Sequence, residues 1–253
     1  MLKANALRVL ALAAVLLVAG AAWASADLLD PEPAQYYGHA YVDFATGDVT
    51  WNSAQPSPFA GTDIYSNVAS AINFSFSSTS LTSIWGDRVT TAGTGILSEQ
   101  DFTVFNPQTS AGSLTSATFN LAFFDAVSLA SLGGYTTGLV SFGSGLPAGS
   151  YAVITTTGLG PANINLNVND VLVTQQVVVK NGLANRLGIA SLDPPTIGSS
   201  SNVMYVNSAT VGPAGYYNIG IPALNANPGY RLNVTAPVPT QARSWGSVKA
   251  DYR

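Results

Sequence analysis

Asp43-Phe44-Ala45-Thr46-Gly47-Asp48 sets two carboxylates and a hydroxyl around a glycine. Calcium favours oxygen-rich loops of this kind in exported proteins, so Asp43 and Asp48 are candidate calcium ligands. The alternating Asp/Asn ladder and terminal Glu of a recognised calcium loop are absent. The plainer alternative is a turn whose Asp side chains accept backbone N–H bonds. Glycoside hydrolysis needs two carboxyls held across a cleft. The chain has two Glu, Glu32 and Glu99, and Asp87, Asp101 and Asp125 as further sources. In sequence these read as residues of turns and strand starts, with Asp87 beside Arg88 as a local pair. A Ser-His-Asp triad would have to use His39, the single histidine, and no Gly-x-Ser-x-Gly elbow accompanies it. The lack of any cysteine removes thiolate metal sites, thiol nucleophiles and redox motifs. No glycine-rich phosphate loop precedes a helix, which leaves nucleotide binding without support.

Aromatic side chains offer a binding chemistry instead. Tyr36, Tyr37, Tyr41, Trp51, Tyr65 and Trp85 gather in the first third of the chain, and Tyr216 and Tyr217 form a second pair. Exposed flat rings with Asn and Thr neighbours stack on sugars while the polar groups bind hydroxyls. The alternative is core and edge packing, the usual fate of aromatics in β structure.

The elements that must carry these groups are strands. Asn73–Ser77, Ala117–Phe124 and Ile164–Val168 alternate apolar with polar residues. Tyr151–Thr157 and Val171–Val179 are rich in β-branched residues, and Val203–Val206 and Tyr230–Val234 complete the set. Gly, Pro, Asn and Asp punctuate them, as in Gly143–Gly149, Gly158–Pro161 and Asp193–Asn202. The expected fold is all-β, an antiparallel β-sandwich of jelly-roll or immunoglobulin-like form, with a short C-terminal helical tail. Alternation directs Phe119, Leu121, Phe123, Val153, Leu166, Val168, Val177 and Val206 inward. Ala40–Phe44 and Val49–Trp51 flank Ala45–Asp48 as a hairpin. The expected division is a signal peptide over 1–26, an N-terminal hairpin and extended segment over 27–66, the sandwich over 67–236, and a linker and tail over 237–253. The hairpin segment is too small to stand alone without disulfides, so it packs on the main domain.

Residues 1–26 combine Lys3 and Arg8, an apolar run from Val9 to Ala22, and Ala24-Ser25-Ala26 before Asp27. That is the pattern of a cleaved secretory signal peptide. The apolar run falls short of the roughly 20 residues that span a bilayer. Cleavage removes two of the nine basic residues and takes the formal charge from −4 to −6. A surface this acidic, with no Lys/Arg cluster, excludes nucleic acid as a natural partner. Charged residues make up 9% of the chain against about 25% in ordinary soluble domains, so solubility rests on Ser, Thr, Asn and Gln.

Near the C-terminus, Pro237-Val-Pro239 is an extended spacer. After it, Trp245, Val248 and Tyr252 fall at i, i+3 and i+7, one stripe of a short helix. This ending resembles the Trp-x-x-aliphatic-Lys-x-x-Tyr-Arg tail of certain uncharacterised bacterial exported proteins, with Asp251 where an apolar residue is more usual. Trp85-Gly-Asp-Arg88, Asp101–Asn106, Leu187–Leu192 and Asn227-Pro-Gly-Tyr230 resemble segments of the same group. The resemblance implies that the tail is a sorting or attachment signal with Trp245, Val248 and Tyr252 as partner-binding anchors; the alternative is a frayed terminal helix.

Together these readings describe an exported, non-enzymatic protein of the cell surface, extracellular matrix or periplasm, with a structural or adhesive role. Its partner would be a surface polymer or the export and attachment machinery. It would have no transmembrane anchor after cleavage and no cofactor beyond that calcium. A carbohydrate-binding module is the second reading, and a secreted hydrolase the third.

Overall fold

The computed structural model describes residues 34–51, 61–217 and 226–235. The segments expected as a signal peptide (1–26), a linker, and a C-terminal helix with Trp245, Val248 and Tyr252, together with Glu32, lie outside the described residues.

Sixteen strands are described: β1 (Gln35–Asp43), β2 (Val49–Trp51), β3 (Thr62–Ser66), β4 (Ile72–Ser78), β5 (Ile84–Thr90), β6 (Gly95–Asn106), β7 (Leu114–Asp125), β8 (Ser131–Thr136), β9 (Val140–Leu146), β10 (Ser150–Thr157), β11 (Asn165–Leu166), β12 (Asp170–Gly182), β13 (Leu187–Leu192), β14 (Ser199–Ser208), β15 (Gly212–Tyr217) and β16 (Tyr230–Thr235). They form two sheets. The first runs β2-β1-β10-β6-β13-β4, with β16 and then β3 continuing from the other half of the β6 edge. The second runs β15-β14-β5-β12-β7-β8, with β9 also on β7. Among the described residues β1 pairs with β10 in parallel and the other strand pairings are antiparallel.

Alternation explains the sandwich. On β7, Ala117, Phe119, Leu121 and Phe123 are fully buried, while Thr118, Asn120, Ala122 and Phe124 are only half-buried. Period two puts the first set on one face, which closes over Ala40, Val42, Phe102, Val104, Ala152, Ile154, Leu232 and Val234 of the first sheet. Phe102 and Phe119 meet edge to face, their centroids 5.1 Å apart. A second cluster holds Phe74, Phe76, Trp85, Ile189, Met204 and Val206. Gly188 is required where β13 crosses β4, because a Cβ there would lie 1.5 Å from the Phe76 carbonyl oxygen.

Several expectations are corrected by this packing. Val153 is buried, but on the opposite face of β10 from the core residues Ala152 and Ile154. The run Tyr151–Thr157 is β-branched on both faces, so its alternation gave no direction. Val168 and Val177 do face inward, partly buried against the core, and Val206 is fully buried in the second cluster. Asp87 is not a turn residue: it lies in β5 at 0% exposure. Its neighbour Arg88 pairs instead with Asp170 on β12, Nε to Oδ1 at 2.9 Å. Glu99 and Asp101 are interior positions of β6 and are buried.

Candidate functional site

The outward face of the first sheet is where chemistry-bearing side chains gather. Strand register aligns Tyr41 of β1, Thr155 of β10, Asp101 of β6 and Arg231 of β16 in one row. Arg231 is the hub. Its Nε donates to Asp101 Oδ2 at 2.9 Å, and its Nη2 to Glu99 Oε2 at 2.9 Å and Asp101 Oδ1 at 3.1 Å. Its Nη1 reaches Asp63 Oδ1 at 3.2 Å, where the Asn233 amide also donates at 2.8 Å. Alternation on β16 compels this arrangement: Tyr230, Leu232 and Val234 fill the core, so Arg231 and Asn233 face outward. Burial opposes the Arg231 charge, but the charge and hydrogen bonds of Asp101, with Asp63 and Glu99, outweigh it and push its pKa up. Burial raises the Glu99 pKa, against the pull of Arg231.

From Asp101 the network runs on to the imidazole. Thr155 donates to Asp101 Oδ1 at 2.7 Å, and His39 Nε2 lies 2.6 Å from the Thr155 hydroxyl. Thr155 has a single hydrogen, already given to Asp101, so the network assigns the proton of the second contact to His39 Nε2. Burial lowers the His39 pKa; Asp101 works against this and Arg231 with it. Burial thus shifts the balance toward the neutral imidazole. The order imidazole–hydroxyl–carboxylate differs from a nucleophilic triad, in which the hydroxyl is terminal. Thr155 is 0% exposed.

Next to this network opens a groove of about 520 Å³ lined by Tyr36, His39, Tyr151 and Val153, with Val68, Ala69 and Ser70 as the facing rim. A β-bulge creates it. The β1–β10 register slips between Tyr36 and Gly38, which sets Tyr36 opposite Tyr151 on the outward face. Tyr37, the extra residue, turns to the other side. It packs edge to face on Trp51 at 5.6 Å and donates its hydroxyl to the Phe142 carbonyl at 3.1 Å. The rim is held by Asn67, fully buried, whose Nδ2 donates to the carbonyls of Leu192, Asn227 and Pro228 and whose Oδ1 accepts from Tyr230 N.

The remaining candidates are scattered. Asp43 Oδ1 accepts from the backbone N–H groups of Ala45 and Thr46, and Thr46 donates its hydroxyl to Asp48 Oδ2. With Gly47 at φ +76°, this hydrogen bonding is that of an Asx turn. Asp125 ends β7 and caps a turn through Val127 N and Ser128 N. Tyr65 and Trp85 are core residues, and Trp51 packs on Phe142. Tyr216 leans on Tyr205 over the second sheet, and Tyr217 donates to the Pro213 carbonyl. The sequence reading did not single out Arg231 or Thr155. One signal was present: Glu99 and Asp101, two apart, share one face of any strand, and an Arg inside an alternating strand needs a countercharge.

No protein-family model, curated protein or solved structure matches this chain. Among the described residues no helix is long and apolar enough to cross a membrane.

Proposed function

We propose that the protein is exported and acts without catalysis, as a structural or adhesive β-sandwich of the cell surface or its surroundings. The observation that carries this reading is the state of the acid–base groups beside the groove. Glu99 and Asp101 are enclosed and bound by one guanidinium, and His39 is engaged with Thr155. What faces solvent there is an aromatic contact surface, with Tyr36 at 52% exposure. A jelly-roll or immunoglobulin-like connectivity accords with β4 to β7 alternating between the two sheets. Calcium at Asp43 and Asp48 stays compatible with the turn, where Asp43 Oδ2 is left over from the backbone bonds described.

Export and attachment are tested together. N-terminal sequencing of the exported protein is expected to start at Asp27, since Ala24 and Ala26 fit signal peptidase. Recovery of material still carrying Leu10–Val18 would overturn cleavage. Deletion of 244–253 is expected to leave the melting temperature unchanged and to shift the protein from the surface fraction to the medium. Unchanged localisation with a clear drop in melting temperature would instead make the tail a helix docked on its own domain.

A further inference from the structure

The groove walls are rings with polar tips. Tyr36 and Tyr151 stand on adjacent strands, their centroids 5.5 Å apart and their planes inclined at 56°. His39, next along β1, is stacked on Tyr41 at 4.5 Å and 12°. Val153 and the Val68–Ser70 rim supply the apolar remainder. Among the described residues that line the groove there is no Asp, Glu, Lys or Arg. Asp101 and Arg231, on the same sheet face, lie behind Thr155 and bind one another.

These walls select the chemistry of an occupant. A charged ligand would lose hydration with no countercharge to meet it. A wholly apolar chain would strand the tyrosine hydroxyls. A peptide strand added to the sheet would not fill the groove: β10 lies between β1 and β6, and along Gln35–His39, where β2 does not pair with β1, an added strand would lie beside the sheet rather than over its outward face. A pyranose answers all three constraints, with C–H faces for aromatic rings and a rim of neutral hydroxyls. The volume lies within the ~300–1,000 Å³ usual for small-molecule sites and takes a short run of sugar units.

We propose that the groove between Tyr36, His39 and Tyr151 binds a neutral sugar chain, with Tyr36 and Tyr151 covering the sugar-ring faces. This rests on the adhesive reading above and names its ligand. The bulge at Tyr37 is then the device that builds the site, since an unbroken register would turn Tyr36 away from Tyr151. The Asn67 hydrogen bonds hold the opposite wall in place.

The test is calorimetric titration of the mature full-length protein. The ligands are soluble neutral polysaccharides (β-glucan, mannan, galactan), anionic alginate and a proline-rich peptide. At least one neutral polysaccharide is expected to bind, with affinity unchanged between low and high salt. Tyr36→Ala and Tyr151→Ala are each expected to weaken it about tenfold or more. Tyr205→Ala, on the outer face of the other sheet, is expected to leave it unchanged. Tyr36 is half exposed, so a melting temperature near wild type certifies that variant. Binding that survives both groove variants, binding only of alginate or the peptide, or no binding across the panel would each overturn the proposal. Surface retention separates the two claims. If deletion of 244–253 releases the protein while no neutral polysaccharide binds, the surface reading stands and the sugar falls; if a neutral polysaccharide binds through Tyr36 and Tyr151 while that deletion leaves localisation unchanged, the sugar stands and tail attachment falls.

Discussion

Arg231 shows how one side chain makes a sheet face possible. Its side chain is 13% exposed, and the Glu99 and Asp101 carboxylates it holds are 1% and 4% exposed. Removing one partner from a buried ion cluster typically costs about 3–5 kcal/mol, because the remaining charges lose both water and countercharge. Arg231→Met is expected to lose about that much in chemical denaturation near neutral pH. Burial already raises the Glu99 pKa against the pull of Arg231, and without Arg231 it rises further. The loss is therefore expected to shrink as acid protonates Glu99 and to grow as pH rises. A loss that is the same at acid and neutral pH would show that packing, not charge, is at stake. Asp87 obeys the same logic with no cation present. It is wholly buried, accepts from the Ser200 hydroxyl at 3.0 Å, and has its pKa pushed well up by burial. A raised folded-state pKa favours folding below the unfolded value and loses that advantage as pH rises through the folded one. Asp87→Asn, neutral and of the same shape, is therefore expected to melt above wild type near neutral pH, the gap closing in acid. A lower melting temperature at every pH would show that Asn cannot replace the carboxyl's hydrogen bonds.

Strands set which of these groups meet. β6 bridges the molecule: one edge pairs with β10 and β11, the other with β16 and, at Phe105, with β13. Where β13 continues past it onto β4, Gly188 leaves room for the Phe76 carbonyl. Gly188→Ala is expected to cost about 3 kcal/mol or more, since backbone rather than a pliant side chain stands in the way. A circular-dichroism melt within a degree or two of wild type would refute that crossing. Much of this level was legible in sequence. The alternation on β7 fixed its core face, and the Ala40–Trp51 segment shows the hairpin pairing, Ala40 to Trp51 and Val42 to Val49. β6 was not legible, because Glu99-Gln100-Asp101 looks like a turn until the guanidinium that neutralises it is placed beside it. The direction of Val153 was hidden by β-branched residues on both faces. The groove was hidden by a bulge, which leaves no mark in the apolar pattern.

At the scale of the whole molecule, the two sheets are joined by contacts between distant parts of the chain. β1 pairs with β10 more than a hundred residues later, and β3 with β16 more than 160 residues later. Such non-local pairing makes closure slow, because loop entropy is lost before the contacts form. Removal of 226–253 is expected to prevent a cooperative thermal transition, since it takes away β16 and the Arg231 countercharge together. A cooperative melt of the shortened chain would show that β6 tolerates an open edge and bare carboxylates.

The distance along the chain between Arg231 and its carboxylates also sets an order of events during synthesis. Glu99 and Asp101 emerge about 130 residues before their counterion, the separation between the paired residues. Until β16 arrives, the nascent first sheet carries two acidic groups that resist burial, and the polypeptide is kept from locking prematurely. β16 thus acts as a clasp that shuts only after the earlier strands of the first sheet have been made.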